Sequence, residues 1–441
     1  MTEKNQERVM YMLNNMADAV CLTNRNGELL YMNPAAKTLF GLDHTGGVKL
    51  WNAIPYVEEN DALMQLFIDG VVEKEKLKRA EVEYVNNEGK RYQLHVTLTC
   101  ESEEAGMVLV LVHDLTDLYK VHSAFARYTS PEIADYVLTT PGGEKQGGQV
   151  REATIMMSDL RGFTAMSARL SSNDLITMLN QYFEHMAAVI QRYRGTIIEF
   201  LGDGIFVVFN APLDVPDHAS AAARCAIEMQ NEMEAVNAWN REHDYPELEM
   251  GIGINSGTVV VGNIGSDTKM KYGCMGETVN LAGRLESFCL GGEIYISEDT
   301  RALIPEDVKI IGENAFMPKG GTKEMRSFRI AGVGTDCAMR AAEDRIRWKG
   351  LPKALPLECF LLDGKTVSPK AYDGFLTDIS GDERFGMLAT DSKTLQPLQN
   401  LMLRINGTDI YAKVTEHGYN GYMIGFTMKP DNFRELFDRK G

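Results

Sequence analysis

Five side chains in the middle of this sequence invite chemistry by their type and spacing. Asp203 sits in Gly202-Asp203-Gly204, between the apolar runs 196–200 and 205–209. Two β-rich runs joined by a Gly-Asp-Gly turn predict a hairpin that holds one carboxylate at its tip. Glu199 lies in the strand entering that tip, where burying an acid without a partner is costly. The hairpin therefore either pairs its acids or uses them. Asp159 closes the apolar run 153–157 and precedes a turn, a placement suited to holding a metal ion. Asn280 and Arg284 are four apart in 278–288, so on a helix they share one face. Arg284 offers a planar fork of donors to phosphate oxygens. Each residue has a plainer reading beside this one: a turn or cap acid for Asp159 and Asp203, a helix-start Asn280, a solvated Arg284.

The elements that must carry these groups can be read around them. The run 153–157 predicts a strand. Ser172-Asn173-Asp174 predicts the cap of a long helix with Leu175, Leu179, Tyr182, Met186, Val189 and Tyr193 on its inner stripe, ended by Gly195. The hairpin follows, then a helix over about 219–240 and a strand over 249–255. Strand, helix, hairpin, helix, strand predicts an antiparallel sheet with helices on one face. Upstream, 141–148 is Gly-rich and reads as a boundary.

Composition limits the rest. The chain has 441 residues, 44% hydrophobic and 24% charged, which predicts a multidomain globular protein. A formal charge of −17 disfavours nucleic acid and anionic membrane as partners. The N-terminus MTEKNQERVM lacks the apolar core of a signal peptide, and the apolar run 107–112 is far short of a membrane span. Seven cysteines without a CxxC pair suggest neither a disulfide framework nor a zinc site. The expectation is a cytoplasmic protein with reduced thiols.

In the N-terminal third, 8–18 reads as a helix with Val9, Met12, Leu13 and Met16 on one face. Strands follow at 19–23 and 29–32, a short helix opens at Asn33-Pro34, and three more strands fall at 80–85, 91–99 and 106–113. That order, with the opening MADAVCLTNRNGELLYMNPAAKTLFG, resembles a PAS sensor domain over about 8–116. Its ligand is unknown from sequence. His44, His95 and His113 are candidates for haem, with dimerisation or relay without a ligand the favoured reading. From Leu115 to Tyr128 apolar residues continue at helical spacing, similar to the connector that follows PAS domains, and 117–150 reads as connector helix and linker.

The segments MMSDLRGFTAMS, EFLGDGIFVVF, GIGINSGTVVVGNIGS and GETVNLAGRLES resemble those of class III nucleotidyl cyclases, in family order and spacing. FARYTSPEIADYVL is similar to the segment preceding many bacterial members, so the resemblance covers about 123–332, with 151–332 as the catalytic domain. It implies a ferredoxin-like domain that dimerises head to tail, with active sites at the interface. It further implies two Mg²⁺ or Mn²⁺ ions on Asp159 and Asp203, a ribose-orienting Asn280, a phosphate-binding Arg284, and Lys319 at the terminal phosphates, with Lys323 close enough to compete. Adenylate-cyclising members carry Lys where this chain has Glu199, and Asp or Thr where it has Gly273. A carboxylate accepts from both donors on the guanine edge and has no proton to offer adenine N1. The expectation is therefore a guanylate cyclase acting on GTP, with an adenylate cyclase or a catalytically silent scaffold as alternatives. Glu277 replaces the usual Asp after Gly276. All matched residues occur in one chain, which implies a homodimer with two equivalent sites. Gly291-Gly292-Glu293 hints at a diguanylate cyclase motif but precedes a plain strand.

Beyond about 340 the pattern changes to six short strands, a small barrel. The stretch 340–441 is similar to a PilZ domain, with Asp378-Ile379-Ser380 as its second motif and GYMIGFTM as its closing strand. The similarity implies cyclic di-GMP as a partner at Arg345, Lys349, Asp378 and Ser380. Two departures weigh equally for a structural or protein-contact role. Lys349 stands where binding members carry a second Arg and lacks its bidentate fork, and the glycine after the motif comes late, at Gly386. The fold class expected for the whole chain is multidomain α+β: PAS-like sensor, ferredoxin-like cyclase, PilZ-like barrel.

Overall fold

In a computed structural model, residues 3–42, 46–72, 77–100, 106–316, 324–340, 347–363, 366–381, 383–391, 395–418, 421–430 and 433–438 are described. They form two compact units, 1–128 and 129–441. Among the described residues no helix is long and apolar enough to cross a membrane.

The first unit is a five-stranded antiparallel sheet. Its elements are α1 (Glu3–Asn14), β1 (Ala19–Asn24), β2 (Leu29–Met32), α2 (Pro34–Phe40), α3 (Asp61–Val72), β3 (Leu77–Val85), β4 (Arg91–Cys100), β5 (Met107–Asp114) and α4 (Thr116–Tyr128), with sheet order β2-β1-β5-β4-β3. The helix expected over 8–18 is displaced toward the N-terminus. Its end is fixed by Asn33, a fully buried side chain whose amide donates to Leu13 and Asp18 carbonyls and whose oxygen caps α2 through Ala36 N. A buried amide with every contact satisfied specifies one arrangement of three segments. His95 and His113 each face an acid, Glu81 at 3.7 Å and Asp18 at 2.5 Å, while His44 lies outside the described residues. No side chain of α4 is buried, and Leu118, Val121 and Tyr128 are exposed.

The second unit opens with α5 (Pro131–Thr139), N-capped by Ser130, then β6 (Gly147–Leu160), α6 (Phe163–Ser167), α7 (Ser172–Arg192), β7 (Thr196–Leu201), β8 (Gly204–Phe209) and α8 (His218–Glu242). It continues through β9 (Met250–Ser266), β10 (Lys269–Met275), α9 (Glu277–Phe288), β11 (Ile294–Ser297), α10 (Glu298–Leu303), β12 (Val308–Phe316), β13 (Met325–Val333) and β14 (Cys337–Ala338). The sheet runs β12-β13-β11-β9-β6-β8-β7, with β10 on β9 and β14 on β13. The Gly-rich stretch read as a break already belongs to the sheet, since Gly147 and Gly148 pair with Asn263 and Gly262. The long helix is capped one residue earlier than expected, by Ser171 accepting from Asp174 N.

Two corrections concern the sheet itself. It is mixed, because β11 runs parallel to β9. It is also covered on both faces. Alternate residues of β6 point opposite ways: Met156 and Leu160 join Met178, Tyr182 and Met186 of α7 and Ala222 of α8, whereas Ala153 and Ile155 join Ile133 of α5, Ala282 of α9 and Tyr272 of β10. Periodicity reported which residues are apolar but not on which side the third helix lands. What lets α9 land there is Gly253 of β9, over which the helix backbone passes so closely that a methyl would collide with Ala282 O and Glu286 N.

The remaining strands, β15 (Trp348–Asp363), β16 (Thr366–Ser380), β17 (Phe385–Thr390), β18 (Asn400–Ile405), β19 (Thr408–Gly418) and β20 (Gly421–Met428), close into the expected six-stranded barrel, followed by α11 (Glu435–Asp438). Its core is apolar and continuous, from Leu357 and Leu376 to Ile424 and Phe426.

Gly253→Ala is expected to destabilise the second unit by about 1–3 kcal/mol through overpacking. Chemical unfolding would show this as a lowered midpoint, and an unchanged midpoint would contradict the backbone contact.

Candidate active site

The two acids meet because of strand register. In the antiparallel pairing of β6 with β8, Ser158 lies opposite Ile205, so Asp159 falls beside Gly204 and the turn residue Asp203. The hairpin closes with Leu201 opposite Gly204, leaving Gly202 and Asp203 as the turn. Gly202 takes φ +70°, the left-handed region that glycine enters without strain. A side chain at Gly204 would press on Ser158 O and come within 3.4 Å of Asp159 Oδ1. One oxygen of Asp159 thus faces the hairpin tip. The other, Oδ2, accepts from Arg161 Nη2 at 3.1 Å.

Arg161 is a residue that motif reading passed over. It is largely buried, and its guanidinium also pairs with Glu286 of α9 and donates to Cys289 O at 3.3 Å. It thereby ties the end of β6 to α9. Among the described residues no cation is paired with Asp203 in this way. Burial first, and then the charge of Asp159 with a hydrogen bond between the two carboxyl groups, pushes its carboxyl up from 3.8 to about 6. Two neighbouring carboxylates, only one of them paired with an arginine, form a donor set that suits a hard divalent cation. Among the described residues no third His, Cys, Asp or Glu joins them. The rest of a coordination shell falls to water, backbone carbonyls and substrate oxygens, as Mg²⁺ ordinarily prefers.

Glu199 lies beside a bulge in β7, where the register shifts between Ile197 and Glu199. Its carboxylate receives Lys271 Nζ of β10 at 2.7 Å. Lys271 is a second residue that the sequence did not single out, although its place two residues before Gly273 was a signal. Gly273 itself is buried, and a side chain there would meet Ile264 at 3.0 Å. Tyr272 packs edge-on against Tyr136 of α5, so α5 supports the strand that carries this position.

Asn280 and Arg284 do share a face of α9, as their spacing requires. Asn280 is exposed and Arg284 lies 5.7 Å over the Phe316 ring, while Ala282 and Leu285 are buried beneath. They do not converge on their own chain's acids. The first turn of α9 is pinned to Asn255 through Thr278 O at 2.9 Å. Asn255 is four strand residues from Gly251, the partner of Asp159, which is on the order of 13 Å. Glu286 faces Arg161, and a residue two earlier on a helix faces away. Lys319, its competitor Lys323, and Arg345 lie outside the described residues.

The remaining candidates of the barrel lie on its first two strands, β15 and β16. Lys349 pairs opposite Ile379 and Gly350 opposite Asp378. Ser380 is buried and accepts from Phe385 N at 2.8 Å. The turn Gly291-Gly292-Glu293 is likewise structural, with Glu293 held by Arg329 at 2.6 Å.

Residues 146–332 match the sequence family described as adenylate and guanylate cyclase catalytic domain, and residues 17–117 match a PAS domain family. A relative from Rhizobium meliloti (strain 1021), "Adenylate cyclase 1", is 34% identical over 211 residues, covering 47% of this chain and 32% of its own. "Receptor-type guanylate cyclase gcy-28" of Caenorhabditis elegans is 29% identical over 194 residues, 44% of this chain and 15% of its own. A solved structure titled "Crystal structure of the guanylyl cyclase Cya2" is 44% identical with TM-score 0.43, covering 44% of this chain and 100% of that one. The chain spans about a third or less of these curated relatives' length.

Between pH 3.8 and about 6 the folded chain holds a proton on Asp203 that the unfolded chain has lost. The metal-free protein should therefore lose stability as pH rises through that window. Asp203→Asn is expected to raise the melting temperature of metal-free protein at pH 7 and to abolish any further rise on adding Mn²⁺. A variant that melts below the wild type without metal would refute the repulsion.

Proposed function

Because this chain carries a class III nucleotidyl cyclase catalytic domain behind a PAS domain, we propose that it is a guanylate cyclase. It would convert GTP to 3′,5′-cyclic GMP and pyrophosphate as a cytoplasmic head-to-tail homodimer whose output the PAS domain regulates. The observation that carries the choice of base is Glu199, an acid at the purine position held by Lys271 at 2.7 Å. A carboxylate there would accept from both N1–H and the exocyclic amine of guanine and repel the lone pair of adenine N1. Gly273 adds no acceptor for the adenine amine and leaves room for guanine O6. A polar pocket of this kind rejects the wrong base because buried groups are left unpaired.

Asp159 and Asp203 would hold two divalent ions, Mg²⁺ or Mn²⁺. When bound, these supply Lewis-acid activation of the 3′ hydroxyl and neutralisation of the triphosphate. The chain's own contribution is placement. The O3′–Pα bond forms in line as the bond from Pα to the β-phosphate oxygen breaks, and the hydroxyl proton passes to water. Arg284 and Asn280 of a second copy would meet the phosphates and ribose, a reading supported by Glu286, two residues after Arg284 on the helix, being the side chain that faces Arg161 beside Asp159. Lys319 is assigned to the terminal phosphates from its sequence motif. The signal that the PAS domain reads is left unassigned.

Purified protein supplied with GTP or ATP, each with Mg²⁺ or Mn²⁺, is expected to yield cyclic GMP as the main product. Asp159→Ala should abolish it, and Glu199→Lys should lower GTP turnover by a factor of about 10² or more. Cyclic AMP as the main wild-type product would overturn the base assignment, and no product from either nucleotide would favour a silent scaffold.

A further inference from the structure

Lys413 is an outward-facing residue of the barrel with almost no exposure. Its neighbours Ala412 and Val414 point into the barrel core, so strand alternation sends Lys413 outward, where a lysine is ordinarily solvated. It is nevertheless 3% exposed, because the C-terminal end of α9 lies over it. Its ammonium donates to the Ser287 carbonyl, one of the last carbonyls of α9 and at the negative end of that helix. Directly across the β19–β20 ladder stands Gly425, where any side chain would collide with Leu290. Arg384 donates to the Gly291 carbonyl. Three barrel residues therefore grip the chain between 287 and 291.

The residue before Ser287 is Glu286, which pairs with Arg161, and Arg161 holds Asp159 Oδ2 at 3.1 Å. We propose that Lys413 is a positioning residue for cyclisation: it fixes the last turn of α9, and through Glu286 and Arg161 it sets the orientation of Asp159. The barrel is on this view part of the catalytic frame. The proposal rests on the reading of Asp159 as a metal ligand. Burying an ammonium is costly unless its donors are met, so stability alone does not favour a lysine here over an apolar side chain. What methionine could not do is hold a helix-terminal carbonyl at a fixed distance.

The test uses the full chain as wild type, Lys413→Met, Glu286→Gln and the double variant. Melting temperatures are measured, together with initial rates over a matrix of Mn²⁺ and nucleotide concentrations with both GTP and ATP. Lys413→Met is expected to remain folded, with a melting temperature close to that of the wild type, and to keep nucleotide KM within about twofold, with half-saturating Mn²⁺ raised about tenfold, the usual scale for losing a group that orients a metal ligand. Glu286→Gln should shift Mn²⁺ dependence in the same direction without touching the barrel. The double variant should be no worse than the poorer single one, because both act on one chain of contacts. Unchanged Mn²⁺ dependence in Lys413→Met, or two effects that multiply, would overturn the proposal while leaving the cyclase reading intact. A wild type without metal-dependent turnover of either nucleotide would overturn the metal reading of Asp159 and this proposal with it.

Discussion

β6 is hydrogen-bonded along its length to β9 and, over its second half, to β8, and its register is the constraint that the candidate site depends on. A slip of one residue in either ladder would turn Asp159 to the opposite face of the sheet. It would also carry Met156 and Leu160 out of the core they share with α7. The cost of exposing that apolar set is what fixes the acid. The pairing simultaneously places Gly251 and Gly253 of β9 where α9 needs bare backbone, so the same ladder seats the helix that bears Asn280 and Arg284.

Around that frame, charge is distributed unevenly. Arg161 pairs with one oxygen of Asp159 and one of Glu286, and the Arg161–Glu286 pair is buried enough that removing one partner would cost about 3–5 kcal/mol. Asp203 is left facing Asp159, where backbone hydrogen bonds only partly offset burial and repulsion. A fold that compensates one acid more fully than its neighbour leaves an electrostatic demand at one spot, of the kind a divalent ion can meet. Glu199 stands under a different regime, half-exposed and already paired with Lys271, as suits a group that must exchange one hydrogen-bond partner for another.

How much of this was legible in the sequence depends on the range of each interaction. The hairpin, the stripe of α7 and the helix opening at Asn33-Pro34 are local patterns, and the structure has them where periodicity and turn residues put them. The partners that orient the site are not local. Glu286 is 125 residues from Arg161, Lys271 is 72 from Glu199, and Ser287 is 126 from Lys413. A lysine alternating with apolar residues in a strand reads as a solvated edge, and nothing in its neighbours announces that a helix end will cover it. Two-sided coverage of the sheet was missed for the same reason, since α9 chooses its face by fitting over Gly253.

The grip of the barrel on residues 287–291 also bears on ancestry. A gene fragment ending near 332 would encode a catalytic sheet with Leu290 stripped of the backbone that covers it, and with the carbonyls of Ser287 and Gly291 stripped of their donors. Recombination that shuffled the barrel freely among cyclases would have to rebuild this seam each time. The natural breakpoint for exchange is instead near 128, between the two compact units. A cut there would leave the seam between catalytic sheet and barrel whole.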